Sequence, residues 1–178
     1  MVNLFIKGLI MALHIVLFEP EIPQNTGNIA RTCAVIGASL DLVYPLGFSI
    51  DEKHVRRAGL DYWNQLNITK WKSIDEFMTA KKGERLFMFT TKAPKSYHQV
   101  DYTGPNDIYL IFGKETKGIP EKVLVENEEA CVKIPMREET RSLNLSNSVA
   151  IAAYEVLRQL DFPGLSETGH LHDLQWKN

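Results

Sequence analysis

The sequence is poor in cysteine, has no long apolar run and carries no large excess of either charge. Its two cysteines, Cys33 and Cys131, both lie in apolar periodic segments, which predicts reduced, buried thiols rather than a disulfide or a metal site. The formal net charge of -2 excludes a global basic field, so contact with nucleic acid would depend on local clusters. These clusters, each of which is also typical of a solvated face, are Arg56-Arg57, Lys81-Lys82, Lys92 to Lys95 and Arg137 to Arg141.

Common nucleotide-binding motifs and metal sites are missing as well. A P-loop would need glycine five residues before Gly113, where the chain has Ile108, and no strand is followed by G-x-G-x-x-G. These absences weaken the hypotheses of an ATPase and of a dinucleotide oxidoreductase. His170, His172 and Asp173 have ligand chemistry, but they lie in a tail that contains proline and glycine, and we assign no metal.

Length and the two ends of the chain predict its organisation. A chain of 178 residues, 44% of them hydrophobic, is about one domain and can bury a full core. Residues 1–10 are apolar but too short to span a bilayer and have no small-residue cleavage site, so we interpret them as an appendage. We expect one domain over residues 11–164, a loosely ordered tail over 165–178, no membrane association and a cytoplasmic location.

Short apolar runs alternate with helical patterns along the chain. This alternation predicts an α/β fold with a mostly parallel sheet flanked by helices, whose ligands collect at the carboxyl ends of the strands. A capping box at Ser73 to Glu76 predicts the start of one helix, which continues to Lys82. The predicted strands are Leu13 to Phe18, Leu40 to Tyr44, Leu86 to Thr90, Ile108 to Phe112 and Cys131 to Ile134, and the other predicted helices are Thr26 to Ile36, Pro120 to Val125 and one from Leu145 to Leu160.

A run rich in serine and asparagine, Arg141 to Ser148, leads directly into the last of these helices. One serine or asparagine would be explained by helix capping alone. Five in seven positions exceed what capping needs, and we interpret the run as a site for a polar small molecule. The five residues are Ser142, Asn144, Ser146, Asn147 and Ser148.

Two other strand ends carry candidate binding groups. The polar loop from Glu19 leads into a helix near Thr26 and places Arg31 in its first turns, where a guanidinium can hold a phosphate or be an ordinary surface arginine. Gly113 ends an apolar strand and lets backbone approach a ligand closely, while Gly118 allows a positive φ before the next helix.

Three motifs at these strand ends resemble those of SPOUT-class RNA 2′-O-methyltransferases. The resemblance extends over about Met11 to Gly164, and it is closest to the compact members that act on the wobble nucleotide of tRNA. The segments that carry it are Asn25-x-Gly27-Asn28-Ile29-x-Arg31, Phe112-Gly113-x-Glu115-x-x-Gly118-Ile119-Pro120 and Ile134-Pro135-Met136 followed by Ser142-Leu143-Asn144-Leu145-Ser146, supported by Arg56 to Trp63 and Thr90-Thr91-Lys92.

The resemblance implies several properties that the residues alone do not give. It implies a deep trefoil knot in the C-terminal part of the sheet, a homodimer, tRNA as substrate and S-adenosylmethionine as cofactor without a metal. The implied cofactor-binding residues are Phe89, Thr90, Gly113, Glu115, Ile134, Met136, Ser142 and Leu143. The implied catalytic residues are Arg31, Asn25, Glu115, Ser142 and Asn144.

The role of Arg31 and the identity of the target stay open at this point. A guanidinium with a pKa above ~12 is a poor proton acceptor, so we expect Arg31 to anchor a phosphate and stabilise oxyanion charge. The alternatives are the same chemistry on another tRNA or rRNA ribose, or a non-catalytic knotted RNA-binding module. Tyr62, Trp63 and Trp71 are candidates for base stacking, although core packing is the more common role of such aromatic residues.

Overall fold

The computed structural model describes residues 4–6, 9–49 and 66–176. Arg56, Arg57, Tyr62 and Trp63, which the sequence singled out, lie outside these residues. The strands are β1 (Leu4–Ile6), β2 (Leu9–Met11), β3 (Leu13–Phe18), β4 (Ser39–Val43), β5 (Ile68–Trp71), β6 (Arg85–Phe89), β7 (Ile108–Phe112) and β8 (Cys131–Val132). The helices are α1 (Pro23–Ile36), α2 (Ile74–Ala80), α3 (Glu121–Glu126) and α4 (Leu145–Gln159), with 3-10 turns at Tyr97–Gln99 and Glu128–Ala130.

Six of these strands form one sheet in the order β5-β4-β3-β7-β6-β8, and every pairing between them is parallel. The chain moves outward from β3 through β4 to β5 and then returns on the other side through β6 and β7. The direction of winding therefore reverses between β3 and β7, which pair with Leu17 opposite Phe112. Ligands of open parallel sheets collect at such a reversal, beyond the carboxyl ends of the strands. The short strands β1 and β2 pair only with each other, antiparallel.

The central strands are buried on both faces, as expected for a parallel sheet between helices. On one face α1 and α4 pack together, with Cys33 and Val156 in the same cluster as Ile15 and Leu110. On the other face Phe77 of α2 packs edge-on against Phe18, in the cluster that also includes Tyr109 and Ile111. This two-sided core confirms the predicted α/β architecture.

The first helix begins earlier than the sequence analysis predicted. It starts at Pro23, three residues before Thr26, with Ile22 as the N-cap, and it ends at Gly37 in the left-handed conformation with a φ of 73°. Proline is well suited to the first helical position, because its fixed φ matches the helix and its missing N–H needs no partner there. The predicted polar loop is therefore only residues 19–22, and Arg31 lies in the third turn of α1 rather than near its start.

Several other boundaries differ from the prediction for local reasons. The edge strand β5 was not predicted, because its sequence, Ile-Thr-Lys-Trp, is short and only partly apolar. The strand predicted over Cys131 to Ile134 ends at Val132, because Lys133 pairs instead with the segment around Lys95 and Tyr97. The helix α2 ends at Ala80 rather than Lys82. The helix predicted over Pro120 to Val125 is α3 at Glu121–Glu126, with Pro120 as its N-cap.

Other details of the core agree with the sequence. Ser73 caps α2 by accepting a hydrogen bond from the Glu76 amide. Both cysteines are free and buried, and burial raises the pKa of the Cys33 thiol far above its ordinary value. Trp71 donates its indole N–H to Asp41 at 2.7 Å and packs edge-on against Phe77, which favours the core-packing interpretation of this side chain.

The segment after α4 contains no helix or strand over residues 165–176. In the described part of the chain, no helix is both long and apolar enough to cross a membrane.

Candidate active site

A cavity of about 630 Å³ opens beyond the carboxyl ends of β3, β6, β7 and β8. Its volume lies within the range of about 300–1,000 Å³ that small-molecule sites occupy. Three connections form most of its wall: residues 90–92 after β6, residues 113–120 after β7, called here the β7 loop, and residues 133–144 after β8, called the β8 segment. The N-terminal end of α1 supplies Ile22 and Asn25, and the start of α4 completes the wall.

All eight residues that the resemblance assigned to cofactor binding line this one cavity. Phe89 and Phe112 end the neighbouring strands β6 and β7, and their rings stack with centroids 4.9 Å apart. Leu143, on the β8 segment, lines the same cavity and is 38% exposed. The full assigned set on the wall is Phe89, Thr90, Gly113, Glu115, Ile134, Met136, Ser142 and Leu143.

The carboxylate of Glu115 is held at the N-terminal end of α1. Its Oε2 accepts a hydrogen bond from the Glu21 amide at 2.9 Å, and its Oε1 accepts one from the Ile22 amide at 3.3 Å. The first turn of α1 contains no acidic residue of its own, so Glu115 places the negative charge that the positive end of the helix dipole favours. The pairing also satisfies amide groups that precede the helix.

A chain of side-chain amides joins Glu115 to the start of α4. Asn25, which is 6% exposed, donates from Nδ2 to Glu115 at 2.9 Å and accepts at Oδ1 from the Asn144 Nδ2 at 3.0 Å. Asn144 is the N-cap of α4, and its Oδ1 accepts from the amides of Ser146 and Asn147. One residue from each of the three motifs therefore belongs to a single hydrogen-bonded network.

The β7 loop is tied to residues 19–22, called here the β3 loop, by two further acidic side chains. The Glu21 carboxylate accepts from the Thr116 amide at 3.1 Å and from its hydroxyl at 2.8 Å. The Glu19 carboxylate pairs with Lys114 at 2.6 Å, and this hydrogen bond raises the pKa of the Lys114 ammonium above its ordinary value. Glu19 itself has a φ of 49°, a left-handed conformation that side chains other than glycine seldom adopt.

Gly113 is required by the packing of the β7 loop on itself. A Cβ placed on Gly113 would lie 2.0 Å from the carbonyl carbon of Gly118 and 2.1 Å from the amide nitrogen of Ile119. The close approach that the sequence predicted is therefore an approach of backbone to backbone within the loop. Gly118 has the predicted positive φ, 70°, and its amide donates to the Lys114 carbonyl at 2.8 Å.

The run of serines and asparagines includes residues that bond at the start of α4 and residues that line the cavity. The Ser146 hydroxyl donates to the Asn144 side chain, which caps α4, and the Ser148 hydroxyl donates to the backbone carbonyl of Asn144 four residues earlier. Ser142 precedes the helix and lines the cavity together with Asn144 and Ser148. Capping therefore explains part of the run, and the binding of a polar small molecule by the run stays a prediction.

Arg31 is the one assigned catalytic residue that does not line the cavity of this chain. It is exposed on α1, beyond the turn that holds Asn25. The other four assigned catalytic residues are on the cavity wall: Asn25, Glu115, Ser142 and Asn144.

The charge on the cavity wall is mostly positive. Lys92 pairs with Glu121, and this ion pair lowers the pKa of the Glu121 carboxyl. Lys117 and Arg141 are exposed on the same wall, one on the β7 loop and one on the β8 segment. Among the residues that the structure describes, no group of three or more His, Cys, Asp or Glu side chains is placed to hold a metal ion.

Sequence reasoning missed the ties made by Glu19, Glu21 and Thr116. The partners in each tie are 95 positions apart along the chain. No periodicity or local spacing reports such a pairing, because the parallel sheet alone brings the two loops together. The available signal was that both loops follow apolar strands and both are rich in charged residues.

A family model described as the SpoU rRNA Methylase family matches residues 12–154. Over 157 residues the chain is 52% identical to a protein of Geobacillus stearothermophilus, a match that covers 88% of this chain and all of that one. It is 45% identical over 153 residues to the tRNA (cytidine(34)-2′-O)-methyltransferase of Escherichia coli K12, covering 85% of this chain and 96% of that one.

The chain is also similar to solved structures of methyltransferases. A structure described as giving insights into the 2-OH methylation of C/U34 on tRNA matches with a TM-score of 0.77 at 42% identity, covering 85% of this chain and 97% of that one. The SpoU methyltransferase AviRb of Streptomyces viridochromogenes, solved in complex with AdoMet, matches with a TM-score of 0.71 at 25% identity, covering 83% of this chain and 57% of that one.

Proposed function

The chain belongs to the SpoU rRNA methylase family, and we propose that it is a methyltransferase that 2′-O-methylates the ribose of the wobble nucleotide of tRNA. Relatives that carry this activity in their names are 45–52% identical to it over nearly their whole length. The observation that carries the proposal is the network of Asn25, Glu115 and Asn144, which joins all three motifs beside one cavity. Residues 11–164 would form the catalytic domain.

The cavity fits S-adenosylmethionine, which supplies a sulfonium methyl group when bound. The side chains of Ile134 and Leu143 on the cavity wall offer apolar surface for an adenine, above the buried, stacked rings of Phe89 and Phe112. Ser142, Thr90 and the backbone after Gly113 offer hydrogen bonds for the polar parts of the cofactor. No metal is needed for this binding, because uncharged groups and backbone supply the contacts.

The side chains of the network position reacting groups rather than exchange protons. The oxygens of Glu115 already accept from two backbone amides and from Asn25, so its use as a base would break those bonds. Holding the ribose oxygen and the methyl group in line can supply roughly 7–11 kcal/mol of the barrier reduction. Ser142 is the assigned residue best placed to contact a ligand, and proton loss from the ribose would proceed through a phosphate oxygen or water.

We infer a homodimer from the surface around Arg31. On the packed pair α1 and α4, the apolar side chains of Val35, Ile151 and Tyr154 are 59%, 37% and 45% exposed. An apolar surface of this kind is typical of a self-association face. Val35 follows Arg31 by one turn of α1, so a partner seated on this surface would bring Arg31 close to the partner's protein and, we propose, to its cavity.

A mixed dimer tests whether Arg31 acts across the interface. Arg31→Ala alone should leave cofactor affinity intact and lower methyl transfer by at least ~10²-fold, the scale for losing one charge-stabilising donor. Leu143→Asp, in an exposed cavity residue, should abolish cofactor binding. A dimer with one chain of each kind then regains one complete site and measurable activity. A mixed dimer as inactive as its parents would show that Arg31 serves its own chain, and a chain that sediments as an active monomer would exclude the dimer.

We further propose that the β8 segment passes through the loop that contains β7, forming the trefoil knot implied by the resemblance. We also propose that the protein works in the cytoplasm on tRNA. The knot is consistent with α4 packing against both α1 and β7 after the chain has left the outer strand β8. The narrower alternatives are another ribose of tRNA or rRNA as the target, and a knotted RNA-binding module without activity.

Mass spectrometry of tRNA nucleosides tests the proposal in cells. Deletion of the gene should remove a 2′-O-methyl group from the wobble ribose of one or more tRNAs, and the wild-type gene should restore it. Arg31→Ala should fail to restore it. Loss of a 2′-O-methyl group at another position would redirect the assignment to that ribose, and unchanged nucleosides would support a non-catalytic RNA-binding role.

A further inference from the structure

The β3 loop and the β7 loop are joined by reciprocal hydrogen bonds, each to a carboxylate of the other loop. The Glu115 carboxylate of the β7 loop accepts from the Glu21 amide of the β3 loop at 2.9 Å. In return the Glu21 carboxylate accepts from the amide and the hydroxyl of Thr116, at 3.1 and 2.8 Å. The acid of each loop thus binds the backbone of the other, which forms a crossed pair between residues far apart in sequence.

This crossed pair lies at the cavity rather than in the core. Thr116 is exposed and Glu21 only partly buried, so their hydrogen bonds contribute little to global stability. The groups on either side of the pair are all on the cavity wall. They are Ile22 at the end of the β3 loop, Asn25 on α1, and Gly113 to Gly118 on the β7 loop. The pair is therefore placed to control cavity geometry.

The position of Glu115 depends on the spacing of the two loops. Its bonds to the amides of Glu21 and Ile22 form only while the β7 loop lies against the start of α1. Thr116 is the next residue after Glu115, so the bonds from Thr116 to Glu21 fix the peptide that carries the Glu115 side chain. Asn25, and through it Asn144, receive their orientation from Glu115.

We propose that Glu21 is a positioning residue for methyl transfer, acting through Thr116 to hold Glu115 and Asn25 in the geometry that the reaction requires. This inference rests on the proposed function, since it names a residue that supports the same site. A reacting group displaced by ~1 Å can lose ~10²-fold in rate, and the Glu19–Lys114 pair retains part of the loop contact. We therefore expect a smaller loss, about tenfold.

The first test separates rate from binding and stability in Glu21→Ala. We expect kcat at saturating S-adenosylmethionine and tRNA to fall about tenfold, with the KM for tRNA changed less than about threefold. The thermal midpoint should match that of Glu126→Ala, a control that removes an exposed acid paired with Lys122 at 4.0 Å, away from the cavity. Glu21→Gln keeps an acceptor oxygen for Thr116 and should recover most of the rate.

The second test asks whether Glu21 acts through Thr116. Thr116→Val removes the hydroxyl at nearly constant volume in an exposed residue and should lower kcat in the same direction by a smaller factor. Thr116→Ser keeps the hydroxyl and should behave like the wild type. Because the two residues share one interaction, the double variant Glu21→Ala with Thr116→Val should be no slower than Glu21→Ala alone.

The outcomes distinguish this inference from the proposed function. Wild-type protein that transfers no methyl group to any RNA would overturn the proposed function. Active wild-type protein with an unchanged kcat in Glu21→Ala would overturn this inference alone. Two single-variant losses that multiply in the double variant would also overturn it, because they would show that Glu21 and Thr116 act independently.

Discussion

The two loops that face each other across the cavity are held in different ways. The β7 loop is fixed along its length, by the Lys114, Glu115 and Thr116 bonds to the β3 loop and by the backbone contact at Gly113. The β8 segment is held mainly at its ends, by backbone pairing of Lys133 with the 95–97 segment and by the Asn144 cap of α4. Among the described residues, the hydrogen bonds within 135–143 are those from Thr140 to the Arg137 carbonyl.

The difference indicates that the two loops have different roles in one site. A loop whose donors and acceptors are paired within the protein presents a fixed surface, and fixed geometry favours in-line transfer. A segment whose side chains are exposed, as Ser142 and Leu143 are, keeps its polar and apolar groups for a ligand. We therefore expect substitutions in the β7 loop to affect rate, and also folding where the loop packs on itself at Gly113, and substitutions of the exposed residues Ser142 and Leu143 to affect mainly cofactor affinity.

The largest expected effect comes from adding one carbon to the β7 loop. Gly113→Ala would place a Cβ within 2.1 Å of backbone atoms of Gly118 and Ile119, which cannot move without separating the loop. We expect the free energy of unfolding to fall by about 3 kcal/mol or more, with loss of cofactor binding. Chemical denaturation and calorimetry measure both. The control is Gly169→Ala, where a Cβ would meet nothing within 4 Å. A Gly113→Ala variant as stable as its control would contradict the packed geometry of the loop.

A smaller loss is expected where the β8 segment meets α4. Asn144→Ala removes the N-cap of α4 and the hydrogen bond to Asn25, so the free energy of unfolding should fall by about 1–2 kcal/mol. Asn144→Asp keeps the cap but loses the hydrogen-bond donor to Asn25. Its free energy of unfolding should lie between those of wild type and Asn144→Ala. Asn147→Ala, in an exposed residue of the same helical turn, should change stability by less than about 0.5 kcal/mol. Equal losses of unfolding free energy in Asn144→Ala and Asn147→Ala would show that the Asn144 side chain adds no stability through the cap or the bond to Asn25.

The smallest effect on folding is expected inside the β8 segment. Leu143→Ala should leave the free energy of unfolding within about 0.5 kcal/mol of wild type, because the side chain is already 38% exposed. Its affinity for S-adenosylmethionine should fall about fivefold, the equivalent of about 1 kcal/mol of lost apolar contact. Val125→Ala, 78% exposed on α3 and away from the cavity, is the matched control. A stability loss without an affinity loss would reverse the comparison between the loops.

The sequence predicted the parts of the fold that depend on local pattern. The strands Leu13–Phe18 and Ile108–Phe112 were predicted with their observed bounds, because buried central strands of a parallel sheet appear as unbroken apolar runs. The start of α4 at Leu145 was predicted from the helical spacing of its apolar residues. The resemblance also assigned eight residues to cofactor binding, and all eight line the cavity, although their role in binding stays a prediction.

The parts that the sequence did not predict depend on contacts between distant residues. The crossed pair of Glu21 and Glu115 exists only once β3 and β7 are neighbours, and nothing local distinguishes those glutamates from solvated ones. The role of Gly113 was predicted as contact with a ligand, whereas its nearest neighbours are backbone atoms of its own loop. Arg31 was assigned a catalytic role by the resemblance, and its own chain does not bring it to the cavity, so local pattern could not have shown which cavity it serves.

Methyl transfer to defined tRNA transcripts tests the central claim most directly. Purified protein should transfer one methyl group from labelled S-adenosylmethionine to a tRNA that carries cytidine or uridine at the wobble position, and mass spectrometry of nuclease fragments should place it on that ribose. The same tRNA with a 2′-deoxy sugar at the wobble position should accept none. Methylation of the deoxy substrate, or a methyl group at any other nucleotide, would contradict the assignment of this cavity to wobble 2′-O-methylation.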